Sequence, residues 1–115
     1  MKRFIALATL VAGLGCGGGR AFRPVGGGGA PPAARVVVED VYYWTDTVSV
    51  ATGDVVEWVN RDIIDHTVSF EGRKGRRLSG KLKAKGTYAV RFDSVGVYQY
   101  YCDPHPTMRA VVLVH

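Results

Sequence analysis

The chain has 115 residues, 47% of them hydrophobic and 22% charged, which limits it to one globular domain and excludes both a multidomain enzyme and wholesale disorder. Lys and Arg number 15 against 10 Asp and Glu, a formal charge of +5; without Lys2 and Arg3 it falls to +3, which gives no reason to expect nucleic acid as a partner. Two cysteines allow one disulfide at most and no four-cysteine zinc cluster.

Residues 1–16 carry two bases, Lys2 and Arg3, then an apolar run from Phe4 to Leu14, then small residues. That is the layout of a secretory signal peptide, and the run is well short of the roughly twenty residues that span a bilayer. Export to the periplasm or another extracytoplasmic space is expected. Cys16, set among glycines, resembles the processing site of a bacterial lipoprotein, which implies a lipidated first residue and a membrane anchor. Two other uses stay open: Cys16 leaves with the signal peptide, or it pairs with Cys102. Residues 17–34 hold seven glycines and three prolines, Pro24, Pro31 and Pro32. They read as a flexible linker with a mean reach on the order of 20–25 Å.

Residues 35–115 are rich in Val, Tyr, Phe and Trp and show no helical period, so an all-β sandwich of about seven strands is predicted. The strands are expected at Val36–Val41, Thr47–Val50, Val55–Asn60, His66–Phe70, Thr87–Phe92, Val97–Cys102 and Ala110–Val114. Between them lie turn signals at Thr52-Gly53-Asp54, Asn60-Arg61-Asp62, Gly72 to Gly75, Ser94 to Gly96, and the stiff segment Asp103-Pro104-His105-Pro106. So small a domain has little stability to spare, and a bound metal would brace it.

Strand parity places His66, Val68 and Phe70 on one face and Tyr98, Tyr100 and Cys102 on another, so an imidazole and a thiol each end a strand on an apolar face. His105 and Met108 follow Cys102 by three and six residues. Taken singly, these would be a satisfied core histidine, a small buried hydrophobe and a gap-filling methionine. Together they supply one thiolate, two imidazoles and one thioether. Zinc has little use for the thioether, whereas two His, one Cys and a weak axial Met form the blue-copper donor set.

On these residues the chain resembles a cupredoxin, and within that group an amicyanin or short plastocyanin. The likeness is carried by Gly53-Asp54-Val55-Val56-Glu57-Trp58-Val59-Asn60, His66-Thr67-Val68, Gly96-Val97-Tyr98-Gln99-Tyr100-Tyr101-Cys102, Pro104-His105-Pro106 and Met108-Arg109. It spans about residues 36–114, and the two residues between His105 and Met108 match amicyanin spacing. One position departs: many relatives have Asn directly after the first histidine, where this chain has Thr67.

The resemblance implies a Greek-key sandwich and one type 1 copper ion bound by His66, Cys102, His105 and Met108. It implies a monomer that carries single electrons and is not an enzyme, with His105 near the surface as the electron port. Redox proteins such as cytochromes, or a copper or haem reductase or oxidase, would dock there transiently. The other reading is an extracytoplasmic copper delivery or storage protein without redox turnover. Residues 73–85 contain Arg73, Lys74, Arg76, Arg77, Lys81, Lys83 and Lys85 and no acid. They form either a solvated loop or a surface that steers an acidic partner or anionic lipid.

Overall fold

The computed structural model describes residues 21–26, 31–71 and 77–115. The expected signal peptide, Cys16 and part of the linker lie outside the described residues, as do Arg73, Lys74 and Arg76 of the basic segment.

Among the described residues there are ten strands: β1 (Phe22–Pro24), β2 (Ala34–Glu39), β3 (Tyr42–Trp44), β4 (Thr47–Val50), β5 (Val55–Asn60), β6 (His66–Glu71), β7 (Arg77–Leu82), β8 (Thr87–Phe92), β9 (Gly96–Cys102) and β10 (His105–Val114). They form two five-stranded sheets, in the orders β1-β8-β5-β2-β3 and β4-β10-β9-β6-β7. The β2–β5 and β4–β10 pairs are parallel and all others antiparallel, so the chain passes repeatedly from one sheet to the other. Such crossings make the expected all-β sandwich of cupredoxin type.

Period-two alternation explains the core. Val36 and Val38 of β2, Val56 and Trp58 of β5, and Val90 and Phe92 of β8 point inward from one sheet. They meet Val68 and Phe70 of β6, Tyr100 and Cys102 of β9, and Met108, Val112 and Val114 of β10 in a single cluster. Trp58 and Tyr100 cross edge to face with centroids 5.3 Å apart, an arrangement favoured by the ring quadrupoles. Gly80 on β7 makes room for the ring of Tyr88 on β8 of the other sheet, which a Cβ at position 80 would overlap.

All seven expected strands are present, and three more were not anticipated. β3 follows β2 through Asp40 and Val41, at φ 55° and 62°, a turn made without glycine. β7 mixes Lys, Ser and Gly and forms an edge, where charge discourages further pairing. The third, β1, corrects the linker expectation for residues 21–26. Phe22 pairs with Phe92, and its ring packs 4.9 Å from Phe70 and 5.4 Å from Tyr98. One aromatic side chain thus gives a Gly- and Pro-rich stretch something to bury.

Candidate metal centre

One pole of the sandwich gathers the C-terminal ends of β5, β7 and β9 and the N-terminal ends of β6, β8 and β10. Asn60, buried at the end of β5, ties the β5–β6 and β7–β8 connections together. Its Nδ2 donates to the carbonyls of Ile64 (2.9 Å), Leu82 (3.1 Å) and Lys83 (3.1 Å), and its Oδ1 accepts from the Asp62 amide at 2.9 Å. The turn signal at Asn60 is therefore also a polar fastener beneath the pole.

His66 opens β6 and Cys102 closes β9, and each is at most 1% exposed. Cys102 Sγ lies 3.6 Å from His66 Nδ1 and 3.6 Å from His105 Nδ1, and the three ligand atoms fall within 4.8 Å of one another. A single ion about 2.0–2.1 Å from each imidazole and about 2.3 Å from the thiolate would span such edges at near-tetrahedral angles, so the donors fit one metal. His105 is half-buried, and its ring centroid lies 5.2 Å from that of His66. Met108 is buried within the stretch of β10 where the register against β9 shifts, between His105 and Arg109. His66, Cys102 and His105 are thus brought together at one pole by a strand start, a strand end and an irregular strand that follows a two-residue turn, and Met108 is buried on that same irregular strand.

The surrounding groups prepare this donor set. Asp62 Oδ2 accepts the Nε2–H of His66 at 2.8 Å, which leaves the Nδ1 lone pair facing the sulfur. The same carboxylate accepts the amides of Asp40 (2.8 Å) and Val41 (3.1 Å). Burial acts to raise the Asp62 carboxyl, but hydrogen bonds from His66, Val41 and Asp40 outweigh it and hold the group below the usual carboxylate range. At neutral pH Asp62 is therefore a carboxylate and a pure acceptor.

Thr67 accounts for its departure from the usual Asn. Its amide donates to Cys102 Sγ at 3.4 Å, and its Oγ1 accepts the Asp103 amide at 2.9 Å, joining β6 to the loop after Cys102. The hydroxyls of Ser69 and Ser79 both donate to Asp103 Oδ2 at 3.0 Å. Tyr43 Oη donates to the Thr67 carbonyl at 2.6 Å; burial, and then the proximity of Cys102, Tyr100 and Asp103, keep that hydroxyl protonated far above its ordinary range. Asp62, Ser69, Ser79, Asp103 and Tyr43 were not singled out from the sequence. Only Asp62 carried a signal, as an acid four residues before a ligand histidine.

Two sheets closing over a thiol, two imidazoles and a thioether at one pole define a cupredoxin with a copper donor set. Residues 33–115 match the copper binding proteins of the plastocyanin/azurin family; the chain belongs to that family, and its cofactor is copper. Among curated relatives, amicyanin of Paracoccus versutus is 38% identical over 82 residues, covering 69% of this chain and 62% of that protein. Amicyanin-alpha of Methylorubrum extorquens is 33% identical over 82 residues, covering 69% of each. Plastocyanin of Scenedesmus fuscus is 34% identical over 68 residues, covering 51% of this chain and 69% of that one. The chain therefore spans 62–63% of the length of the two Paracoccus amicyanins that it matches. A solved amicyanin variant in its Cu(I) form superposes with a TM-score of 0.76 at 30% identity, covering 84% of this chain and all of the other.

Proposed function

We propose that the chain is a blue copper protein that shuttles single electrons between redox partners outside the cytoplasmic membrane. His66 Nδ1, Cys102 Sγ and His105 Nδ1 would hold the copper, with the Met108 thioether as a fourth, weaker donor. The observation that carries this reading is the pair of Nδ1 atoms, each 3.6 Å from one buried sulfur, together with a buried methionine that zinc would not use. When bound, copper supplies the one-electron change. The residues of the chain supply rigidity: the Thr67 amide restrains the sulfur, Asp62 fixes the ring of His66, and Pro104 and Pro106 limit the backbone on either side of His105. A donor set so restrained reorganises little on a change of charge, which suits a carrier rather than an enzyme.

His105, half-buried while the other donors are buried, is the port at which cytochromes or copper or haem oxidoreductases dock weakly and briefly. Residues 73–85 steer acidic partners toward it; Lys81, Lys83 and Lys85 are exposed. Residues 1–16 direct export, and Cys16 is the lipidated residue that keeps the domain at the membrane.

Adding Cu(II) to the soluble domain tests the reading. The expected result is an intense blue thiolate-to-copper band, absent in Cys102→Ser, with reversible voltammetry. A colourless protein that takes zinc as well as copper would overturn it, and ready loss of Cu(I) to an acceptor without reversible cycling would assign the chain to copper delivery.

A further inference from the structure

The pole opposite the metal centre has a surface that electron carriage does not use. β9 runs from Gly96 at that pole to Cys102, six steps or roughly 20 Å at about 3.3 Å per residue. There the amides of Asp93 and Ser94 both donate to the carbonyl of Ala21, at 2.7 and 3.2 Å, and β1 pairs with the end of β8. The N-terminal segment therefore joins the domain at the pole remote from the metal. Beside that junction Val95 is 70% exposed and Val97 65% exposed. Val97 lies opposite Leu113 on β10. Arg23 and Arg91 both pair with Asp93, two residues before Val95, at 3.3 and 3.2 Å.

We infer that this pole rests on a lipid bilayer and turns the metal centre away from it. The inference rests on the proposed lipidation of Cys16. Residues 17–20 alone separate Cys16 from Ala21, a reach of roughly 18 Å at full extension. For the metal pole to face the bilayer, that short segment would have to lie fully extended along the whole length of β9, with no slack left. The pole that does reach the lipid carries what an interface accepts: two exposed valines, and two arginines held by Asp93 close by in the chain. His105 then faces soluble partners.

The test uses the copper-loaded full mature chain, joined through Cys16 to a maleimide lipid in liposomes of phosphatidylcholine and phosphatidylglycerol. Amide hydrogen exchange is compared with the same chain in solution. Exchange of residues 93–97 is expected to slow several-fold while that of 104–108 stays unchanged, and Val95→Asp with Val97→Asp is expected to abolish the slowing without altering the blue band. Equal exchange at both poles, or slowing at 104–108, overturns the inference. So does slowing in solution that grows with protein concentration, which would assign the valines to a second copy of this chain. Mass spectrometry of the chain matured in a bacterium that processes lipoproteins addresses the anchor separately. An unacylated Cys16 overturns the anchoring reading even where the liposomes show the pole protected.

Discussion

Asp62 and His66, four residues apart, share a 2.8 Å hydrogen bond that selects which imidazole nitrogen faces the sulfur of Cys102. Because the same carboxylate also accepts the amides of Asp40 and Val41, it links the metal pole to the β2–β3 turn. Loss of an outer carboxylate of this kind costs metal affinity about 10–100-fold. Asp62→Ala is expected to weaken copper binding by that factor in a competition titration against a chelator. Asp62→Asn, which keeps an acceptor oxygen, should lose less. Unchanged affinity in the alanine variant would remove Asp62 from the orientation of the ring.

Thr67 separates two roles within one residue. Its amide serves the thiolate and its hydroxyl serves the Asp103 amide, so a substitution that spares the backbone should split stability from colour. Thr67→Val removes the hydrogen bond from the Asp103 amide to the Thr67 hydroxyl and is expected to cost about 1 kcal/mol in denaturant unfolding. The blue band should persist at nearly the same wavelength, and Thr67→Asn should recover most of the stability. Loss of the band in Thr67→Val would show that the hydroxyl, not the amide, governs the sulfur.

The meeting of His66, Cys102 and His105 was legible because strand parity and the short Cys102 to His105 spacing are local features of the sequence. Their supports were not. Asp62 reaches back to a turn more than twenty residues earlier, and that turn uses Asp40 and Val41 at positive φ, where the usual glycine or asparagine signal is missing. Ser69 and Ser79 meet Asp103 only because β7 pairs beside β6, and β7 has too little β-branched content to be recognised as a strand. Thr67 was noted as a departure, but what its hydroxyl would bind depended on how the loop after Cys102 folds over β6. Local chemistry was readable, whereas contacts set by long-range register were not.

Copper would join three strands of one sheet at one pole, since His66 opens β6, Cys102 closes β9 and His105 begins β10. Ligands so dispersed bind the folded state preferentially. Free copper at about 100 times its dissociation constant is expected to add about 2.7 kcal/mol, provided the unfolded chain does not compete. For a domain of this size, that corresponds to a rise of roughly 10–20 °C in Tm. Calorimetry with and without copper measures it directly. A Tm that ignores copper in the wild-type chain would mean that the three donors are not joined by one ion.

Phe22 decides where the folded domain begins. Composition assigns residues 17–34 to a tether, yet the Phe22 ring contacts Phe70, Phe92 and Tyr98, with centroids 4.9, 5.9 and 5.4 Å away, and β1 completes one edge of its sheet. Truncating a half-buried ring of this kind should cost about 1–3 kcal/mol, less than a fully buried phenylalanine because part of its surface already meets water. Phe22→Ala is therefore expected to lower thermal stability while leaving the copper spectrum untouched, because β1 pairs with the end of β8 remote from the ligands. It should also speed cleavage within residues 21–26 by a broad-specificity protease, because that backbone is held in the β1–β8 ladder. If Phe22→Ala matched the wild type in both stability and protease resistance, the domain would begin at β2 and the N-terminal segment would be the free tether that its glycines suggest.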